Sequence, residues 1–479
     1  MNTVTFRFPQ PLYVALVGHL FPGDNDEHGA VIAAGICESE RGTRLLARRL
    51  FLARDGVDYV PGKHGYRALT ADFVARVSNQ CARQNLCYFA VHCHGGDDSV
   101  GFSSADLRSH KRGYPALLDI TNGGPVGALV FARNAVAGRV WTRNDVLPLD
   151  NTVVVGPNIQ RLHSAPESDV RAFDPIYHRQ SLIFGSAGQH LLRKTKVGII
   201  GLGGAGSLLN EWLAKLGIGE IVAVDYDRLD PTNQPRIPGA TRWDAQAFLL
   251  TRQWSPFQRL GQWLAKYKVH VARRVALRAN PRIHYRAIVG NVTFRDVALL
   301  LKDVDYLFLC ADSAQCRLVF NALVHQYLLP GVQVGSKVPI DGQTGFIVEP
   351  FTVTRPVMPF PEGGCLLCNE LISAAQLQEE ALSEAERKRQ AYVEDPLVVA
   401  PSLITLNAVA CAPAANDFLF GYFALLNKHV KRGYLMNFCR DRRWSHVDSR
   451  ADDTCLHCGT AIGSIFARGD RAELPCRTR

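Results

Sequence analysis

A chain of 479 residues, 47% apolar and 20% charged, carries more apolar side chains than one core absorbs and reads as two main globular units, not a disordered or fibrous chain. Fifty-four Lys and Arg against 44 Asp and Glu leave a formal charge of +10. The charges are scattered, and the densest basic stretch, 432–443, matches no nucleic-acid module, so no specific nucleic-acid partner is expected.

Thirteen cysteines, four of them in two Cys-x-x-Cys pairs, with no secretory signal read at the start, place the chain in the reducing cytoplasm, its thiols available for metal. The richest apolar run, 403–426, is interrupted by Asn407, Pro413, Asn416 and Asp417, so it reads as a buried helix and no membrane partner is expected.

In chain order, apolar runs at 31–36, 86–91 and 126–131 predict strands, and the amphipathic segment 71–83 predicts a helix between two of them. This is an α+β unit over residues 1–160. The polar stretch 161–173, with Ser164, Pro166, Glu167, Ser168 and Asp169, reads as a linker. Residues 174–465 then alternate: strand 197–200, helix 207–216, strand 221–225, helix 268–279, strand 306–310. That rhythm predicts an open α/β sheet of the doubly wound, Rossmann-like kind. The charged run 376–389 reads as an exposed helix or a mobile crossover loop, and 466–479 as a C-terminal tail.

Two signatures carry chemistry. His92-Cys93-His94 is followed, after eight residues, by Ser103-Ser104-Ala105-Asp106. On a strand, residues two apart face the same way, so His92 and His94 can share a metal and Cys93 faces elsewhere. Asp106 at a helix start can complete a His-His-Asp zinc set that leaves a position for water and lowers its pKa to about 7. Ser103 is placed to donate to an oxyanion, and Glu27 is the chosen base, with Asp26 and Glu38 as alternatives. This text resembles the JAMM (MPN, or JAB) metallopeptidases, whose pattern is H-x-H, then S-x-x-D, with a Glu at the edge of an earlier strand. The chain departs from it in a slightly longer spacer before Ser103, in Gly95 where the family has Pro, and in the text Glu27-His28-Gly29-Ala30.

The second signature, Gly201-Leu202-Gly203-Gly204-Ala205-Gly206 after a strand, with Asp225 and Asp227 after the next, is a phosphate-binding turn with ribose acceptors. Taken alone it fits a nicotinamide-dependent oxidoreductase equally well, whereas the missing G-x-x-x-x-G-K-[ST] disfavours a P-loop NTPase. The surrounding residues, from Tyr177-His178-Arg179-Gln180 through Asn233-Gln234-Pro235-Arg236, Lys268 and Cys310-Ala311-Asp312-Ser313, resemble the MoeB, ThiF and ubiquitin-activating-enzyme superfamily over roughly 174–465. The resemblance implies ATP as substrate. Arg179 would reach its phosphates from the partner subunit of a homodimer, Asn233, Arg236 and Lys268 would bind phosphate in cis, Asp225 would hold the ribose, and Asp312 would bind Mg2+. An extra stretch between Arg236 and Lys268, with Trp243, Trp254 and Trp263, reads as a partner-docking insertion or added packing.

Cys365-x-x-Cys368 and Cys455-x-x-Cys458 supply four thiolates for a closed, structural zinc site, a pairing that recurs in the MoeB-like family. Relatives often carry a thioester cysteine in the crossover segment, but 369–400 contains none. Cys316 and Cys411 read as buried helix residues; with Cys439 and Cys476 also weighed, no nucleophilic thiol is assigned.

Together the resemblances imply a bifunctional enzyme. One zinc would serve (iso)peptidase processing of a small ubiquitin-like or sulfur-carrier protein, and ATP with Mg2+ would adenylate that carrier's C-terminal glycine. A conjugating enzyme would be a further partner. The alternatives are an adenylyltransferase whose first domain is an inactive binding module, and, more distantly, a nicotinamide-dependent oxidoreductase with a zinc ribbon.

Overall fold

In the computed structural model, the described residues are 3–24, 26–60, 67–166, 174–250, 255–341, 344, 346–360, 363–381, 401–427, 430 and 433–478. The strands are β1 (Val4–Pro9), β2 (Gly29–Ser39), β3 (Gly42–Leu52), β4 (Cys87–Cys93), β5 (Val126–Phe131), β6 (Val136–Trp141), β7 (Val146–Pro148), β8 (Asn151–Val155) and β9 (Gln160–Leu162), then β10 (Lys196–Ile200), β11 (Glu220–Asp225), β12 (His284–Val289), β13 (Tyr306–Leu309), β14 (Gly331–Lys337), β15 (Phe351–Val357), β16 (Gly433–Phe438) and β17 (Arg443–Asp448).

The first nine form a mixed sheet in the order β7-β6-β5-β4-β2-β3-β1-β8-β9. β2 lies between β3 and β4, which explains its almost unbroken apolar text: from Gly29 to Cys37 every residue is buried. The helix Ala71–Arg83 has the boundaries expected from its periodicity, and Thr70 caps it by accepting a hydrogen bond from the Phe73 amide at 3.3 Å.

The other eight strands run in the order β12-β11-β10-β13-β14-β15-β16-β17. The first five are parallel and the last three add antiparallel pairs. The chain thus builds outward from β10 to β11 and β12, then returns to place β13 on the other side of β10. That reversal creates a crevice between the C-terminal ends of β10 and β13, where open α/β sheets bind ligands. The apolar run near residue 403 is the buried helix Ile404–Tyr422, and no helix among the described residues is long and apolar enough to cross a membrane.

Some expectations shift. The helix expected at 207–216 begins at Gly204, inside the glycine motif, and the strand expected at 86–91 continues to Cys93. Of the charged run 376–389, residues 376–381 lie in the helix Ala374–Ala381, and the remainder falls outside the described residues, as do 167–173 of the expected linker. Residues 466–478 are no free tail. Phe466, Ala467 and Leu474 are buried, and Gly469 pairs with Ile36 at the seam between the two sheets. Arg48 of β3 donates to the Phe466 and Ala461 carbonyls there, while Cys37 and Leu46 join the core that contains Leu307 and Phe320. The two units therefore share packed, hydrogen-bonded structure.

Candidate functional sites

The N-terminal site grows from two local devices. β4 ends so that His92 lies opposite Gly29 and Val130, and the amide of His94, one residue past the strand, donates to the Phe131 carbonyl at 2.9 Å. The helix Ser104–Ile120 opens with a reciprocal cap: the Asp106 amide donates to Ser103 Oγ at 3.2 Å and the Ser103 amide donates to Asp106 Oδ2 at 2.7 Å. One carboxylate oxygen thus anchors the helix start while the group faces the imidazoles. His92 Nε2 and His94 Nε2 are 3.2 Å apart, and each is 3.5 Å from an Asp106 oxygen. Ligands at about 2.0–2.2 Å from a tetrahedral zinc stand roughly 3.3–3.5 Å from one another, so the donor set fits such an ion. The neighbouring groups, His92 and Ser103 foremost, overcome the cost of burial and hold Asp106 well below the ordinary carboxylate range.

Glu27 Oε1 is 3.8 Å from His94 Nε2, and partial burial raises its pKa above the ordinary value. The two alternatives lie elsewhere. Asp26 has an Arg67 contact at 3.8 Å, and Glu38 sits near the far end of β2, roughly 30 Å away along the strand. Ser103, expected as an oxyanion donor, is first of all the helix cap; its hydroxyl oxygen accepts from Asp106, which leaves the O–H proton for donation. Cys93 faces away from the site, accepting from the His28 amide and donating to the Leu20 carbonyl. Sequence reasoning missed His110, buried one helical turn beyond Asp106 and stacked on Tyr114 at 4.7 Å, with burial lowering its pKa to about 4. An i, i+4 spacing from Asp106 was its only signal.

The second site lies at the crevice described above. Gly201 turns the chain at φ +87°, and a Cβ on Gly206 would stand 1.9 Å from the Gly201 carbonyl, so the turn and the close approach both require glycine. Asp225, at the end of β11, is buried and accepts from the Leu202 amide at 2.6 Å and the Asp227 amide at 2.8 Å. Burial pushes its pKa up, against the pull of Lys268. Asp225 thus braces the glycine turn. Lys268 Nζ is 2.6 Å from Asp227 Oδ2. Asn233 is buried in the short turn Pro231–Arg236, and a Cβ on Gly204 would stand 3.6 Å from Arg236 Cδ, which puts Arg236 beside the turn. Asp312 is exposed just beyond β13, on the other side of the crevice.

Arg179 is not brought to the turn within one chain. Its neighbour Gln180 donates to the Leu216 carbonyl at the far end of the helix Gly204–Leu216, roughly 18 Å from Gly204. The sequence reading also missed Asn407, which a Cβ on Gly204 would strike at 2.1 Å, and Glu380, whose carboxylate accepts from the Ala314 and Gln315 amides beside Asp312. Nothing local marks either residue. In the extra stretch, Trp243 and Trp263 are exposed, and Trp254 falls outside the described residues.

The four thiols of Cys365, Cys368, Cys455 and Cys458 converge, with neighbouring sulfurs 3.5–3.7 Å apart, close to the roughly 3.8 Å expected around a tetrahedral zinc. Cys316 and Cys411 are buried in helices, and burial raises the pKa of Cys316, Cys411, Cys439 and Cys476. None of these thiols has the lowered pKa of an activated nucleophile.

A parallel sheet with a glycine turn at its point of reversal, fused to a mixed sheet bearing a His-His-Asp cluster, defines a nucleotide-binding α/β unit joined to a candidate metal site. Residues 177–390 match the model of the ThiF family, and the chain carries a ThiF-family domain there. It is 27% identical over 169 residues to the molybdopterin-synthase adenylyltransferase of Escherichia coli (strain K12), covering 35% of this chain and 60% of that protein. Over 60 residues it is 40% identical to the tRNA threonylcarbamoyladenosine dehydratase of Bacillus subtilis (strain 168), covering 12% and 24% of the two chains. Among solved structures, that of E. coli MccB with ATP covers 90% of this chain and 100% of its own, with a TM-score of 0.43 and 16% identity. The chain thus spans less than two thirds of the curated relatives it matches, 60% of the first and 66% of the second.

Proposed function

We propose that this chain adenylates the C-terminal carboxylate of a small carrier protein and hydrolyses an amide bond at that same terminus. The adenylation reading is supported chiefly by the ThiF match over 177–390, with the glycine turn, Arg236, Lys268 and Asp312 grouped around one crevice. The carrier carboxylate attacks the α-phosphorus of ATP, an acyl–phosphate bond forms, and pyrophosphate leaves. Negative charge accumulates on the departing group, and preorganised cations stabilise it. Arg236 and Lys268 lie on the side of the turn, Lys268 exchanging its Asp227 contact for phosphate, while Asp312 would hold Mg2+, which would neutralise phosphate charge. Arg179 completes the site from a second copy of the chain, which accounts for its distance from the turn in one copy.

The hydrolytic reading is supported by the convergence of His92, His94 and Asp106, with Glu27 beside them. These three residues would hold a zinc ion, which supplies a Lewis acid and lowers the pKa of water to about 7. Glu27, with its raised pKa, takes the proton of the attacking water and returns it to the leaving amine, and the Ser103 hydroxyl donates to the carbonyl oxygen. The closed four-thiol site has no such open position and serves as structure.

A second reading keeps adenylation alone and makes the N-terminal unit a module that presents the carrier; the family match confined to 177–390 favours it. One experiment separates the two. With a carrier precursor extended beyond its terminal glycine, His92→Ala should abolish trimming and spare ATP–pyrophosphate exchange under the first reading. Trimming that survives His92→Ala, or no trimming by the unaltered protein, leaves only the second.

A further inference from the structure

At the seam between the two sheets, away from both candidate sites, lies a cavity of about 700 Å3. That is the size of a small-molecule pocket. Its position follows from the topology. Asp305 immediately precedes β13 and its carboxylate accepts from the Lys196 amide at the start of β10, so the cavity opens at the N-terminal ends of the strands whose C-terminal ends carry the glycine turn and Asp312. The length of β10 separates the two, roughly 15 Å.

The charge in this cavity is one-sided. Arg7, Arg41, Arg44, Arg161 and Lys194 line it, and among the described lining residues Asp305 is the one carboxylate. Asp305 is already shared: Arg41 donates to it at 2.9 Å, Arg7 at 3.4 Å, and Arg44 lies at 3.8 Å. Burial opposes its ionisation, yet the arginines outweigh that and hold its pKa below the ordinary value. The compensation is incomplete. Arg7, 5% exposed, is lowered to about 9 by burial and by Arg44 and Arg41, against the pull of Asp305. Asn151, also in the lining, has a buried amide oxygen with no hydrogen-bond partner. Rotating that amide about its terminal bond would present an NH2 donor in its place. On another wall Phe184 and Phe423 stack face to face at 4.4 Å, an apolar surface of ring size.

Low-dielectric walls with excess guanidinium charge concentrate anions, and Arg suits phosphate oxygens in particular. We propose that this cavity binds a small molecule carrying two or more phosphate groups. Because it lies between the two sheets, an occupant would touch β1, β3 and β8 of one and, beside the other, Lys194 just before β10 and Asp305 just before β13.

The test is calorimetric titration of inorganic pyrophosphate and, separately, ADP into full-length Lys268→Ala protein, a background that weakens phosphate binding at the glycine turn. The same titrations are repeated after adding Arg41→Ala, and independently Lys194→Glu, both at exposed positions. Saturable pyrophosphate binding that weakens roughly tenfold or more with either change, and falls as salt rises, is expected. Equal affinity for the two probes identifies the phosphates as the recognised group, and tighter ADP binding adds the aromatic wall. The proposal is overturned if neither probe saturates, or if both added substitutions leave binding unchanged. Loss of ATP–pyrophosphate exchange on Asp312→Ala is read separately, so failure here and failure of the adenylation reading are distinguishable.

Discussion

At the N-terminal site His92, His94 and Asp106 arrive from the end of β4 and the first turn of one helix, and their candidate donor atoms lie within 4.8 Å of one another in a single chain. At the nucleotide site Asp312 and the glycine turn face each other across a crevice, Lys268 is held by Asp227, and Arg179 stands near the opposite end of a helix. The first site is preorganised by local hydrogen bonds, down to a cap that fixes the Asp106 carboxylate. The second is spread over several elements: Lys268 is engaged by Asp227, and Arg179 lies away from the turn in the single chain. A small rigid ion can be caged by one loop and one helix start, whereas a triphosphate spreads its charge over several ångströms and needs cations from several elements.

That contrast can be broken in graded ways. The largest expected effect is at the nucleotide site: Asp312→Ala should lower ATP–pyrophosphate exchange by roughly 100- to 1000-fold, with carrier trimming unchanged. Mixing Arg179→Ala with Asp312→Ala protein should restore about a quarter of normal exchange, because half the dimers are then hybrid and each hybrid retains one intact site. No recovery on mixing would place Arg179 outside the partner's site.

At the preorganised site Glu27→Gln should remove trimming while zinc bound to His92, His94 and Asp106 persists, as measured by metal content. For the unaltered protein the sign of the pH dependence is set by the base. Glu27 acts when ionised, so trimming should fall as pH drops through its pKa, which burial raises above the ordinary value in the metal-free protein and which a bound cation would pull back down. Trimming that survives Glu27→Gln would exclude Glu27 as the base.

Smaller effects concern structure. Cys365→Ser should release the four-thiol zinc and lower Tm by roughly 10 °C, a loss that a mild chelator acting on the open N-terminal site should not reproduce. Ser103→Ala should cost about 1 kcal/mol of helix capping and loosen Asp106, weakening zinc at that site without emptying it.

The periodic segments were legible from sequence because burial on both faces of β2, β10 and β13 demands apolar runs, and the half-buried helix Ala71–Arg83 demands a period of 3.6. The His-x-His and glycine patterns were legible for a related reason: both place their groups through backbone geometry only a few residues long. Glu27 was harder, since Asp26, Glu27 and Glu38 were all candidates and only the pairing of β2 with β4 decides which one approaches His94. Glu380, Asn407 and the arginines around Asp305 had no local signature.

By itself, then, the amino-acid sequence determined the two kinds of sheet, the candidate metal triad and the glycine turn, because each depends on short-range sterics and hydrogen bonding. Only the tertiary structure decided that Arg179 stays away from the turn, that residues 466–478 seal the seam between the sheets, and that five basic side chains from distant segments line one cavity, three of them on Asp305. Those outcomes depend on which strand edges meet, and long-range pairing of edges leaves no periodic trace in the chain that makes it.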